Sequence, residues 1–506
     1  GARGATMEFD LLISGGQIVD GTGAPGFPGD VGIRGDRIEA IGDLSAAEAK
    51  ERIDARGLVV APGFIDPHNH ANNEMAGGIL ELPSVENQIR QGVTTLVAGN
   101  CSDMARAWPL DEHFEAVSRA PIRQNYAMLL GMGTLRAQVV KEWGRPANPD
   151  EIRQMQRMVE QGMDAGALGI STGYFPAFVT TDEIIEVTKP VAARGGLYAS
   201  HIRNEGDGLL GAAEEIIEIG ARAGLPVQIS HIKTYGQRNW WKVDALLSLM
   251  ERASSRGVDV MADRYPYTAC FTGLTSLLPM WAQAETARRG GMSSLRDPAW
   301  YPEARRAIAD QLDLMGGPQN VLFAPLKPQP EIEGKRLSEL AEERGADVID
   351  VAIDLLQQGG ISCIYFLMCE ENIRTFYRHP LVMAGSDSHL RVYGEGVSHP
   401  RNYGTFPRIV GHYGRDEGLF GVEEAVRKCT SMAAERFRIK DRGVLAKGKY
   451  ADLVLFDWNR IIDRATFTDQ HRYPEGIPWV IVNGQIAVRE GEVTEGCYGR
   501  VIRRDE

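Results

Sequence analysis

Two histidines introduce the chemistry of this chain. In Pro62-Gly-Phe-Ile-Asp-Pro-His-Asn-His70 an apolar run ends in His68 and His70, spaced i, i+2. On one strand that spacing points both imidazoles to the same face. Two imidazoles on one face of a strand end suit chelation of a zinc-like ion. Taken alone, the pair is equally an ordinary polar strand end. Other short apolar runs end in the same manner: Gly99-Asn-Cys101, Ser200-His201, Ser230-His231 and Gly385-Ser-Asp387. Singly, such a histidine is more often a satisfied core residue, such a cysteine a small buried hydrophobe, and such an aspartate a helix N-cap. Together, four imidazoles, a thiol and a carboxylate are a dense ligand set for one or two divalent metals, if the fold gathers these strand ends.

The order of elements predicts that it does. Eight strand candidates are Gly63–His70, Thr94–Gly99, Asn125–Leu130, Ala167–Ser171, Leu197–His201, Pro226–His231, Val258–Tyr265 and Leu381–Asp387. Helical patterns such as Glu151–Asp164, Leu209–Ala223 and Lys242–Arg256 separate several of them. Alternating strands and helices point to βα units, and eight of them to a closed parallel barrel whose C-terminal strand ends share one mouth. Residues 8–60 read instead as short strands with Gly and Asp-Gly turns, a texture that resumes at Asp452–Phe456, Trp479–Val482 and the Asn483-Gly484 turn. The expected fold class is therefore α/β: a (β/α)8 TIM-type barrel over 61–439, with a small discontinuous β domain from 7–60 and 440–506. The stretch from about 269 to 319 exceeds what one crossover needs and is expected to be an insertion, either a substrate lid or a surface decoration.

Bulk properties narrow the function class. The 506 residues, 43% hydrophobic and 24% charged, are ordinary for a globular chain, and the formal charge of −13 argues against nucleic acid or an anionic membrane as partner. No apolar run reaches 18 residues and no signal pattern is evident, so a cytoplasmic enzyme is expected. Gly1-Ala-Arg-Gly-Ala-Thr6 reads as an expression scar before Met7. Six cysteines without regular spacing imply no disulfide framework, which agrees with a reducing compartment.

The motifs resemble the D-aminoacylase (N-acyl-D-amino-acid deacylase) family of the amidohydrolase superfamily. They are Gly63-Phe-Ile-Asp-Pro-His-Asn-His70, Gly92-Val-Thr-Thr95, Gly99-Asn-Cys101, Gly169-Ile-Ser-Thr-Gly173, Ser200-His-Ile-Arg-Asn-Glu205, Ile229-Ser-His-Ile-Lys233, Gly385-Ser-Asp387, His399-Pro-Arg401 and Asp441-Arg-Gly-Val444. They run in the family's order along nearly the whole chain. The resemblance implies a tight zinc site at Cys101, His201 and His231, and a second, weaker position at His68 and His70. It further implies Asp387 as the catalytic acid/base, with Lys233, Arg401 and a tyrosine of Tyr265-Pro-Tyr267, Tyr265 first, holding the substrate's free carboxylate. The implied partner is a small N-acyl-D-amino acid. The chain departs from the family pattern at Ala71-Asn-Asn73, where acidic residues are expected, and in a shortened segment after Tyr174.

The chemistry follows from these groups. A bound zinc lowers the pKa of its water towards ~7 and acts as a Lewis acid. Asp387 would take a proton and return it to the leaving nitrogen, while Arg401 offers a planar fork to a carboxylate and Lys233 a point charge. Two other readings stand beside this one. The same metal chemistry could act on a cyclic, L-configured or dipeptide-like amide, or the barrel could be a non-catalytic scaffold.

Overall fold

A computed structural model describes residues 8–73, 77–142 and 144–506; the segment Gly1–Thr6 and Met7, read above as a scar and a start, lie outside the described residues. The eight expected parallel strands are present, as Phe64–Asp66, Val93–Ala98, Asn125–Met128, Gly169–Thr172, Leu197–Ser200, Val227–Ile229, Val260–Arg264 and Val382–Ala384. They pair in parallel in chain order, with a two-residue continuation, Leu130–Gly131, joining the third to the fourth. The eighth returns to the first where the Asp387 N–H donates to His68 O (2.8 Å) and the His70 N–H to Ser388 O (2.8 Å). The fold is thus a closed (β/α)8 barrel, as the alternation of elements predicts.

Crossover helices are cut by local signals. The helix Pro149–Asp164 starts at a capping box in which Asn148 and Glu151 satisfy each other's backbone N–H groups, with Pro149 in the first turn. Its Met155, Val159 and Met163, at four-residue intervals, lie in the barrel's apolar shell. The helix Leu209–Ala223 ends at Gly224, whose φ of 72° is the left-handed conformation that a β-carbon resists.

Both chain ends build one nine-stranded sheet, where Leu453–Phe456 pairs antiparallel with Val59–Pro62. Only Gly63 separates that last strand from the first barrel strand, so sheet and barrel mouth are tied together.

The strands are shorter than the sequence pattern implies. The first stops at Asp66, because Pro67 has no N–H to continue the ladder, and the sixth stops at Ile229. His68, His70, His231 and Lys233 therefore stand in the turns beyond the strands, and period-2 alternation does not orient them. The excursion between the seventh and eighth strands also runs past the expected 319. Its sheet of Ala269–Gly273, Val321–Phe323 and Ser362–Phe366 ends at Phe366 and encloses a separate apolar cluster containing Trp300 and Tyr365. Those later strands are short buried runs that read like parts of a crossover.

Gly99, at the end of the second barrel strand, has φ 80°, and a β-carbon there would lie 2.0 Å from Leu129 O. Gly99→Ala is expected to destabilise the protein by more than ~1 kcal/mol and to shift Cys101, two residues on. An unchanged melting temperature would refute this.

Candidate metal centre and active site

The mouth of the barrel gathers every candidate ligand. Cys101 Sγ lies 3.7 Å from His68 Nε2 and 3.7 Å from His231 Nε2, and His201 Nδ1 lies 3.0 Å from His231 Nε2. Asp387 Oδ1 is 2.7 Å from His70 Nε2 and 3.1 Å from His68 Nε2. Within these groups the donor atoms of His68, Cys101 and His231, and those of His68, His70 and Asp387, lie within 4.8 Å of one another. A thiolate, imidazoles and a carboxylate at that spacing fit one or two zinc-like ions.

The electrostatics agree. Burial opposes ionisation of Cys101, but the facing imidazoles, His68 foremost, hold its thiol well below the usual range, which is the ligand form. Burial likewise opposes Asp387, yet the Arg401 guanidinium and His68 keep it well below the ordinary carboxylate range. In return, and against their burial, Asp387 and Cys101 raise His68 well above its usual value and His70 to about 9. These anions call for a cation at the centre, a demand that a divalent ion meets more strongly than protonated imidazole.

Backbone strain marks the same residues. Cys101 (φ 57°), Tyr174 (φ 59°), His231 (φ 36°) and Asp387 (φ 53°) all occupy the left-handed region, which costs on the order of 1–3 kcal/mol each in bulky residues. Neighbours hold two of these turns: the His231 N–H donates to Asp263 Oδ1 (2.8 Å), and the Ser102 N–H to Ser171 Oγ (3.1 Å). Asn72, in the segment where acids were expected, accepts the Gly99 N–H (2.9 Å) and donates to Asp103 O (3.0 Å). The departure thus clamps the loop that carries Cys101.

Beside the ligand candidates, Lys233 and Arg401 both stand against the ring of Tyr265. Lys233 Nζ lies 5.6 Å and Arg401 Cζ 4.8 Å from the centroid of Tyr265, whose hydroxyl has no hydrogen-bond partner among the described residues. Arg401 Nη1 is 3.1 Å from Asp387 Oδ2 without hydrogen-bond alignment, and its Nε is likewise unbonded. His399 sets Arg401 in place by accepting its N–H (3.0 Å) at Nδ1 and donating from Nε2 to Ala269 O (2.7 Å). Tyr267 turns instead towards Pro400 O, 3.4 Å away.

Several residues of the centre escaped the sequence reading. Glu205 stands behind His201 and His231: Oε1 is 3.3 Å from His201 Nε2, Oε2 is 3.1 Å from His231 Nδ1, and Oε2 also accepts from Lys233 Nζ (2.8 Å). Its place four residues after His201 in Ser200-His-Ile-Arg-Asn-Glu205 was the available signal. Asp263 Oδ1 lies 3.4 Å from His68 Nδ1, and a buried acid inside the apolar seventh strand was its signal. His389, two residues past Asp387, stacks on His70 at 5.1 Å. A cavity of about 1250 Å³ lies over His201, His231, Lys233 and Asp387, walled by the barrel loops and by the excursion.

A barrel with nitrogen, sulfur and oxygen ligands on its C-terminal strand ends is the architecture of metal-dependent hydrolases. This chain belongs to the amidohydrolase family, whose model matches residues 51–362 and 338–488. It is 39% identical to D-aminoacylase of Alcaligenes xylosoxydans xylosoxydans, over 99% of this chain and 98% of that protein. It is 36% identical to N-acyl-D-glutamate deacylase of the same organism, over 98% of this chain and 97% of that one. A solved structure of N-acyl-D-glutamate deacylase from Bordetella bronchiseptica, complexed with zinc and a phosphonate inhibitor, superposes with a TM-score of 0.83 at 32% identity, covering 98% of this chain and 100% of that chain. Among the described residues no helix is long and apolar enough to cross a membrane.

Carboxylates behind metal-bound histidines fix their tautomer and raise ligand basicity. Glu205→Gln is expected to weaken metal binding by about 10–100-fold, measured by chelator competition. Unaltered affinity would leave Glu205 without that role.

Proposed function

We propose that this chain is a zinc-dependent hydrolase that releases a D-amino acid and a carboxylate from N-acyl-D-amino acids. What supports the reading is the placing of two cations, Lys233 and Arg401, against the ring of Tyr265, whose hydroxyl is unpartnered among the described residues, beside the ligand cluster. Two cations beside a tyrosine hydroxyl suit a carboxylate, and buried donors without partners among the described residues, here the Tyr265 hydroxyl and Arg401 Nε and Nη1, are rare unless a ligand satisfies them. Burial opposes the charge of Lys233, but Glu205 and Tyr265 raise its pKa above the usual lysine value, so the ammonium persists.

In this reading Cys101, His201 and His231 hold the tight metal position and His68 and His70 the weaker one. When bound, the ion supplies Lewis acidity and an activated water. Asp387, ionised and 3.1 Å from Arg401 Nη1, accepts the proton of the attacking water and returns it to the leaving nitrogen. Lys233, Arg401 and Tyr265 grip the α-carboxylate, which orients the scissile carbonyl; with the side chain placed as a third point, one configuration is selected. The names of the two deacylase relatives support the D-configuration.

Zinc-loaded protein is expected to hydrolyse N-acetyl-D-amino acids and to leave the L-enantiomers untouched. Cys101→Ala and Asp387→Ala should each lower turnover by at least about 100-fold. Tyr265→Phe, which removes a hydroxyl without a partner among the described residues, should raise KM more than it lowers kcat, as befits a group that binds substrate and transition state alike. Equal turnover of the two enantiomers, or activity on cyclic amides alone, would replace this assignment with another amidohydrolase substrate.

A further inference from the structure

Lys233 and Arg401 stand against Tyr265, yet each already faces an acid: Lys233 Nζ is 2.8 Å from Glu205 Oε2, and Arg401 Nη1 is 3.1 Å from Asp387 Oδ2. A substrate carboxylate held there adds a negative charge to two pairs that are already balanced. One further cation lies beside the same ring. Arg264, the last residue of the seventh barrel strand, places Cζ 4.4 Å from the Tyr265 centroid.

Arg264 is 1% exposed and makes no ion pair among the described residues; its printed bonds run to two backbone carbonyls. A guanidinium at that depth is rare unless a negative group balances it. The neighbouring acid is turned elsewhere: Asp263 accepts the His231 N–H (2.8 Å) and Gln228 Nε2 (2.9 Å), and its Oδ1 lies 3.4 Å from His68 Nδ1. Arg264 Nη1 donates to Ile232 O (3.3 Å), in the peptide unit that leads into Lys233. Its Nη2 donates to Tyr267 O (2.6 Å), two residues past Tyr265. One side chain thus joins the turn bearing Lys233 to the segment bearing Tyr265, and Arg408 Nε adds a bond to Pro266 O (2.8 Å) in that segment. Burial keeps the Tyr265 pKa above the ordinary tyrosine value, although Lys233, Arg264 and Arg401 pull it down, so the hydroxyl stays a donor.

Resting on the deacylase reading above, we propose that Arg264 is a positioning residue of the carboxylate grip. It fixes the ring of Tyr265 and the backbone before Lys233, and it supplies a positive charge for the substrate's carboxylate to balance. Both its terminal nitrogens are bound to backbone, so it acts through Tyr265 and Lys233 rather than on the substrate. A desolvated cation over an aromatic ring holds that ring firmly, which aims the hydroxyl before substrate arrives. Away from water its charge also reaches further than a surface charge would.

The test measures kcat and KM of the zinc-loaded full chain on N-acetyl-D-leucine for the parent, Arg264→Met, Arg264→Lys, Tyr265→Phe and the double variant Arg264→Met/Tyr265→Phe. Melting temperature and bound zinc are recorded for each. Arg264→Met should raise KM by about 10–100-fold, the effect of losing hydrogen bonds to a charged group, while kcat changes by less than about threefold and bound zinc is unaltered. Arg264→Lys keeps the charge without the planar fork and should bring KM back to within about tenfold of the parent. In the Arg264→Met background Tyr265→Phe should no longer raise KM, because residues that act through one another are not additive. An arginine that only supports the fold would lower melting temperature or bound zinc and leave the two substitutions additive. A KM for Arg264→Met within about twofold of the parent's, or additive effects, would overturn this inference and leave the deacylase reading standing. Should Arg264→Met not fold, Arg264→Lys decides: KM raised by about threefold or more bears the inference out, and an unchanged KM overturns it. Failure of both variants to fold would make Arg264 a residue of the core and overturn it as well. Inactivity of the parent on N-acetyl-D-leucine would overturn the deacylase reading, and this inference with it.

Discussion

Ionised groups withdrawn from water must find opposite charge or revert to neutrality, and that constraint shapes the barrel mouth. Cys101 and Asp387 are buried, and Glu205 is 9% exposed. Each faces imidazole, guanidinium or ammonium: Cys101 its three histidines, Asp387 His68, His70 and Arg401, and Glu205 two histidines and Lys233. Removing one member would strand another, so the cluster behaves as a unit. Glu205 is the hinge of that unit, because one carboxylate contacts His201 and His231, both proposed as metal ligands, and neutralises the lysine proposed to hold the substrate.

Such a cluster demands positions that regular strands cannot supply. The side chains come from turns just past the strand ends, several in left-handed conformations that unsupported residues avoid. The strain persists because neighbouring strands over-determine it. Asp263 of the seventh strand holds the His231 turn of the sixth, and Ser171 of the fourth holds the residue after Cys101. The eighth-strand turn is held by the first through the Asp387 N–H and His68 O. Barrel closure is therefore a condition of the site as well as of the fold.

The excursion after the seventh strand completes the site from outside. Its first strand offers Ala269 O to His399, which seats Arg401, and Thr272 Oγ1 lies 3.3 Å from the Tyr174 hydroxyl on the opposite rim. With its own apolar cluster it stands as a wall over His201, His231 and Asp387.

Much of this was legible in the chain. Short apolar runs separated by amphipathic helices specify a barrel through local periodicity, and a barrel necessarily collects whatever polar residues end its strands. His68, His70, Cys101, His201, His231 and Asp387 converge for that reason. What periodicity could not reach depends on pairs distant in sequence. The clamp of Asn72 on Gly99, the reach of Asp263 to His68 and the seating of Arg401 by His399 and Ala269 each join separate strands or loops. The face that Lys233 presents was decided by a left-handed turn at His231 rather than by strand alternation, and the length of the excursion by a sheet whose strands lie far apart in the chain. Local sequence determined which chemical groups stand at the strand ends. Only tertiary structure decided how each buried charge is matched, because Coulombic partners are chosen by distance in space rather than along the chain.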